Sequence, residues 1–214
     1  MSRHVGAAIL VLLLGATQPA RAGDYSALNG TYVLAGLPDF TLSGTFADHQ
    51  PVMAHGLLMH YSMGSARSHW NLGIVGGSML TPPGYWRAAG ADPETTVYAE
   101  FPVGFAGAWV GYAWQFPLKW GLEISPSVGI GLSGVFGDVY ATEVLPGCTG
   151  KVTACGHWDK VTREPVDFSY RVMPLLLVAG SLGWRFLDDW RVGLDVGAVN
   201  LPYVGLSLGY ALSK

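Results

Sequence analysis

The stretch Asp167–Leu212 reads DFSYRVMPLLLVAGSLGWRFLDDWRVGLDVGAVNLPYVGLSLGYAL, and its patterning decides the fold. Phe168, Tyr170, Val172, Leu176, Val178, Leu182, Trp184 and Phe186 share one parity, with Asp167, Ser169, Arg171, Ala179, Ser181, Gly183 and Arg185 on the other. After the polar turn Leu187-Asp188-Asp189 the alternation resumes, with Trp190, Val192, Leu194 and Val196 against Arg191, Gly193, Asp195 and Gly197. The final run sets Val204, Leu206, Leu208, Tyr210 and Leu212 opposite Gly205, Ser207, Gly209 and Ala211. A strict period of two over segments this long identifies β-strands with one apolar face.

Composition decides where that face points. A soluble barrel turns its apolar face inward and needs a charged exterior. Charged residues make up only 13% of this chain, mean hydropathy is +0.31, and the second face is mostly Gly, Ala and Ser. Small residues with a few ionic pairs suit a narrow lumen, and an apolar exterior suits lipid. The expected fold is therefore all-β: an eight-stranded antiparallel transmembrane up-and-down β-barrel.

The N-terminus fits this reading. Arg3 and His4 precede an apolar run, Val5–Gly15, and Ala20-Arg21-Ala22 matches a small-x-small cleavage site, so residues 1–22 read as a secretory signal peptide. Residues 23–214 then form one barrel domain, in which 10 basic residues face 15 acidic ones once Arg3 and Arg21 are set aside. No basic stripe points to nucleic acid. Cys148 and Cys155 lie in one polar loop, a spacing that in an oxidising compartment predicts a disulfide. The alternative, a metal site of Cys148, Cys155, His157 and Asp159, matches no familiar zinc spacing. No metal and no cofactor are expected.

The remaining strands follow in order. The first spans Gly30–Phe46, with its embedded part from Phe40 onward and Gly23–Asn29 as a polar lead-in. Val52–Met63 and His69–Leu80 come next. The fourth, Thr95–Phe116, changes parity near Ala106-Gly107-Ala108, which predicts a β-bulge. Gly121–Gly137 is the fifth. Short connections near 64–68, 116–120 and 187–189 alternate with long ones, and loops 81–95 and 138–164 are the expected external surface. Each short turn is flanked by aromatics, predicting an interfacial girdle of Tyr61 and Trp70, of Trp114, Phe116 and Trp120, and of Trp184, Phe186 and Trp190.

With these features the chain resembles the small eight-stranded outer-membrane barrels of Gram-negative bacteria, the OmpA/OmpX-like superfamily. The resemblance implies residence in the bacterial outer membrane with both termini periplasmic. It also implies contact with outer-membrane lipid and lipopolysaccharide, insertion by the barrel assembly machinery, and a monomeric state. Tyr203, Gly205, Leu208 and Tyr210 match the spacing of the family's assembly signal, although the chain continues Ala211-Leu212-Ser213-Lys214 without a terminal Phe.

Candidate chemistry is sparse. The inward charges Glu123, Asp167, Arg171, Arg185, Arg191 and Asp195 read as a lumenal ion-pair network, with Asp195 placed to meet Arg185 or Arg191. His55, His60 and His69 read as hydrogen-bonded lumen or interface residues. Some barrels are lipid enzymes, and the lipid A deacylase family uses a His–Ser pair on the outer wall. Here Ser68 and His69 point to opposite faces, His60 and Ser62 point into the lumen, and the family's His-x-Ser-Asn-Gly run is absent. A structural or surface-interaction role through the loops is the expectation. A lipid-modifying enzyme and a narrow solute channel stand as the alternatives.

Overall fold

A computed structural model of the chain describes residues 25–65, 67–143, 164–166 and 171–213. Eight long strands run around a closed ring: β1 (Tyr25–Gly36), β2 (Met53–Gly64), β3 (Ser68–Met79), β4 (Val103–Trp114), β5 (Leu122–Gly137), β6 (Val172–Arg185), β7 (Trp190–Val199) and β8 (Leu201–Ser213). Each is antiparallel to its sequence neighbours, and β8 returns to pair with β1 from Ser26↔Ser213 to Ala35↔Tyr203. The shortest strand has 10 residues, and a transmembrane β-strand needs roughly 9–11. Outward positions such as Leu28, Leu57, Ile74, Val110, Ile130, Leu176, Leu194 and Leu206 are all exposed. An apolar belt on a sheet with no free edge is the form in which β-structure enters lipid.

Two expectations are corrected. The embedded part of the first strand is Tyr25–Gly36, not the stretch from Phe40 onward. Pro38 ends the strand, since its fixed φ and missing N–H suit a helix start, and Asp39–Ser43 forms one short helical segment. Phe40 is 80% exposed there, whereas Leu42 is buried. Within the stretch expected as a polar lead-in, Asn29 faces the lumen, where polarity is permitted.

The β-bulge at Ala106–Ala108 is also absent. β4 pairs with β3 and β5 in unbroken register, and its odd residues Val103, Phe105, Trp109 and Ala113 all point inward. The change of parity in the sequence arises because Val103 and Phe105 are apolar residues on the inward row. The residues before it, Val97–Glu100, belong to a separate sheet.

The lumen is layered along its axis. Towards the short turns it is polar; towards the long connections it holds an apolar cluster of Val33, Leu58, Val75, Trp109, Leu175, Leu177 and Tyr203. Trp109 is only 4% exposed, and inward glycines of three strands make room for its indole. A Cβ on Gly73 would lie 2.5 Å from the ring, on Gly111 2.9 Å and on Gly129 3.1 Å. An eight-stranded ring leaves an interior just wide enough for side chains, so one indole must be matched by missing side chains opposite it.

At the far end the connections build a second, five-stranded sheet in the order 164–166, 139–143, 97–100, 84–88, 46–48. Gly137, at φ +90, turns the chain from β5 into it, close against the Pro102 carbonyl where a side chain has no room. The β7–β8 connection is a single residue: Asn200, at φ +57, accepts from the Leu176 N–H at 3.0 Å and donates to the Pro174 carbonyl at 2.9 Å.

The Trp109 slot yields a test. Trp109→Ala is expected to cost about 3–5 kcal/mol, and Gly73→Ala about 1–3 kcal/mol by overpacking. The double variant should cost clearly less than the two together, because the added methyl then occupies vacated space. Urea unfolding followed by heat-modifiable gel migration measures all three.

Candidate functional site

Three places carry the polar chemistry of the described residues: the lumen near the short turns, one spot on the outer wall, and the sheet beyond the barrel.

The lumenal group centres on Glu123, which sits at the start of β5 with its side chain 5% exposed. One carboxylate oxygen accepts from Arg185 Nη2 at 3.1 Å and from the Gln115 amide, and the other pairs with the Arg191 guanidinium. Arg191 also donates to Ser181 Oγ at 2.6 Å. β6 and β7 set Arg185 directly opposite Arg191, so two cations converge on one carboxylate from the neighbouring wall.

Asp195 does not join them. It lies four positions along β7 from Arg191, roughly 14 Å at the rise of a strand, opposite Ser181. Its carboxylate instead accepts from Thr31 Oγ1 at 2.8 Å and Ser207 Oγ at 3.2 Å. Arg171 is not lumenal either: it precedes β6 at the far end and meets Asp138 at 3.3 Å on an exposed surface. Asp167 lies outside the described residues, as do Cys148, Cys155, His157, Asp159 and residues 1–22.

A polar ladder crosses β1, β2 and β3 at the same depth. Asn29 Nδ2 donates to Ser62 Oγ at 3.1 Å, and Ser62 donates to Asn71 Oδ1 at 2.8 Å. A cavity of about 70 Å³ lies between the polar and apolar layers, bordered by Glu123, Asp195, His60, His69, Trp109 and Tyr203 among others. Ligand pockets run to roughly 300–1,000 Å³, so this space is too small for a solute site. Among the described residues no group of His, Cys, Asp or Glu stands in metal-ligating geometry.

The His/Ser neighbours legible in the sequence do not form pairs. Ser68 bonds Ser65, Ser62 belongs to the asparagine ladder, and His60 packs against Trp109 at 5.4 Å between ring centroids. The structure makes a different pair on the outer wall. His55 of β2 and Ser78 of β3 are register partners, with Nε2 and Oγ 2.9 Å apart, and His55 Nδ1 lies 3.2 Å from the Tyr32 hydroxyl of β1. The available signal was parity: His55 and Ser78 interrupt otherwise apolar outward rows.

The turn-end aromatics make ring contacts, across strands in Trp70–Tyr112 at 5.1 Å and Trp190–Tyr210 at 5.0 Å, and along the chain in Tyr112–Trp114 at 5.0 Å and Trp184–Phe186 at 6.0 Å. Phe116 and Trp120 are 54% and 86% exposed, and Tyr61 lies half-buried on the same outward row as Met63. Of the C-terminal set, Tyr203 and Gly205 face the lumen, while Leu208 and Tyr210 face outward.

Closed ring, apolar outer belt, turn-end aromatics and filled interior together define an integral transmembrane β-barrel of eight strands. No protein-family model matches the chain, and neither does any curated protein sequence. Among solved structures it is similar to the attachment invasion locus protein Ail of Yersinia pestis. The two share 8% identity at a TM-score of 0.46, over 90% of this chain and 100% of that one. It is also similar to Neisserial surface protein A, at 9% identity and TM-score 0.43 over 92% and 100% of the respective chains. A designed transmembrane barrel aligns at 8% and 0.42, over 91% of this chain and 100% of its own.

Glu123→Ala leaves Arg191, whose side chain is 16% exposed, charged and unpaired inside the barrel, and is expected to cost about 3–5 kcal/mol. Arg171→Ala at its exposed pair is expected to cost less than about 1 kcal/mol. Urea midpoints of the two variants in the same detergent compare them directly.

Proposed function

We propose that the protein is an outer-membrane barrel whose working surface is the five-stranded sheet at the end opposite the termini. The carrying observation is the contrast between the two ends. The described short-turn end is tight, with strands joined across a few residues, whereas three of the four far connections are long and build a sheet of their own, the fourth being the single residue Asn200. That sheet holds a cluster of aromatics: Trp86 contacts Phe46 at 5.3 Å and Phe101 at 5.4 Å, and Tyr85 contacts Tyr98 at 5.3 Å. Arg87 pairs with Asp48 at 2.7 Å and ties its edge strand down. Recognition surfaces are commonly carried by connections held on a rigid scaffold. Here the scaffold is the barrel, and the outer parts of loops 81–95 and 138–164 are the surface offered.

In this orientation both ends of the barrel wall, Tyr25 and Ser213, face the periplasm, and the long connections face outward. The outer-wall residues contact membrane lipid and lipopolysaccharide. Tyr203, Gly205, Leu208 and Tyr210 serve recognition by the assembly machinery, and the barrel acts as a monomer. The Glu123–Arg185–Arg191 group acts as structural filling that fixes the lumen and opposes a solute path.

Two measurements test this reading. An epitope inserted at Gly90, a turn at φ +78 between two strands of the outer sheet, should be stained by antibody on intact cells. Staining only after permeabilisation would reverse the orientation. Purified protein in planar bilayers should give conductance no greater than a bilayer without protein. Defined open steps from the unmodified protein would return the solute channel to first place.

A further inference from the structure

The Tyr32–His55–Ser78 cluster has no part in lumen filling or in the outer sheet. Tyr32, His55 and Ser78 occupy outward positions on three consecutive strands, Tyr32 being 49% exposed. Three hydrogen-bonding groups on a lipid-facing wall carry a desolvation cost unless they bond to one another, and here they do. Their order is that of a nucleophile, a base and an orienting group. When Nδ1–H donates to the Tyr32 oxygen, Nε2 is left to accept the Ser78 proton.

Their height on the wall is also specific. Ser78 lies eight residues along β3 from Trp70 of the turn-end girdle. At the rise of a strand and a tilt of about 40° this is roughly 20 Å of height, against an apolar band about 25 Å tall. The cluster thus lies near the opposite edge of the band, where acyl tails meet their ester linkages. One rung deeper, Gly76, Ala106 and Gly134 are in register across β3, β4 and β5. These small outward residues put little side-chain bulk on the wall beside Ser78.

We propose that Ser78, His55 and Tyr32 form an esterase site for an acyl ester of a membrane lipid, entered from the bilayer. Ser78 Oγ attacks the ester carbonyl carbon while His55 Nε2 takes its proton. The bond from that carbon to the lipid alcohol breaks, and the alcohol leaves with the proton from Nε2. Water, its proton passing to Nε2, then attacks the acyl-serine and releases the fatty acid, and the proton returns to Ser78 Oγ. The acyl chain lies along Gly76, Ala106 and Gly134. Ser78 and His55 are the catalytic residues, and Tyr32 is a positioning residue.

The test uses the full-length folded barrel in two sets of vesicles, one of phospholipid and one containing lipopolysaccharide, with released fatty acid identified by mass spectrometry. Release from either set that is abolished in Ser78→Ala and reduced about a hundred-fold or more in His55→Ala is expected, and the active set identifies the lipid. Tyr32→Phe should lower kcat and leave KM unchanged. Heat-modifiable migration identical to the unmodified protein establishes that each variant is folded. The proposal is overturned if neither set yields fatty acid, or if release is the same in Ser78→Ala. Because the assay needs only a folded barrel, its failure leaves the surface orientation measured by antibody staining untouched.

Discussion

A backbone N–H or C=O facing hydrocarbon has no water to bond, and each one left unpaired costs several kcal/mol. The rest of this structure depends on that constraint. It forces β8 back onto β1, and it forces β5 onto β6 across the whole connection 138–171. Closure in turn fixes the interior at a width that side chains alone can fill. The inward face then has to satisfy polar groups, pack an indole and leave no large void, all within one ring of eight strands. The outward face has only to be apolar.

This asymmetry explains what the sequence disclosed. Outward rows such as Trp190-Val192-Leu194-Val196 were legible because lipid accepts one kind of residue. Inward rows were not, because the lumen accepts three kinds at different depths: Glu123 near the turns, Gly73 beside the indole, and Leu175 towards the far end. An inward Asn29 therefore reads as a lead-in, and an inward Phe105 produces a change of parity that reads as a bulge. Both errors have one cause: polarity was taken as a measure of direction where only parity and register measure it.

Pairing across strands was the other thing that a single sequence withheld. Asp195 follows Arg191 by four residues and Arg185 by ten, yet its partners are Thr31 and Ser207. Ring closure brings β1 and β8 together and supplies hydroxyls at the required height. Likewise Glu123 gathers Gln115 from the turn after β4, Arg185 from β6 and Arg191 from β7, a choice made by register. His55 and Ser78 stand 23 positions apart and become neighbours only through the β2–β3 ladder.

Inside and outside also treat polar groups differently. Within the lumen, groups such as Ser62 and Asp195 accept or donate more than once, and a shared network of this kind resists removal of any one member. On the wall, the Tyr32–His55–Ser78 chain ends at a serine hydroxyl bonded to the His55 ring, on an outward face. A polar group locked among several partners holds a fold in place. A chain of them ending in a hydroxyl beside small residues remains open to a further contact, and among the described residues this difference in local bonding separates the filling of the barrel from the Tyr32–His55–Ser78 chain on its wall.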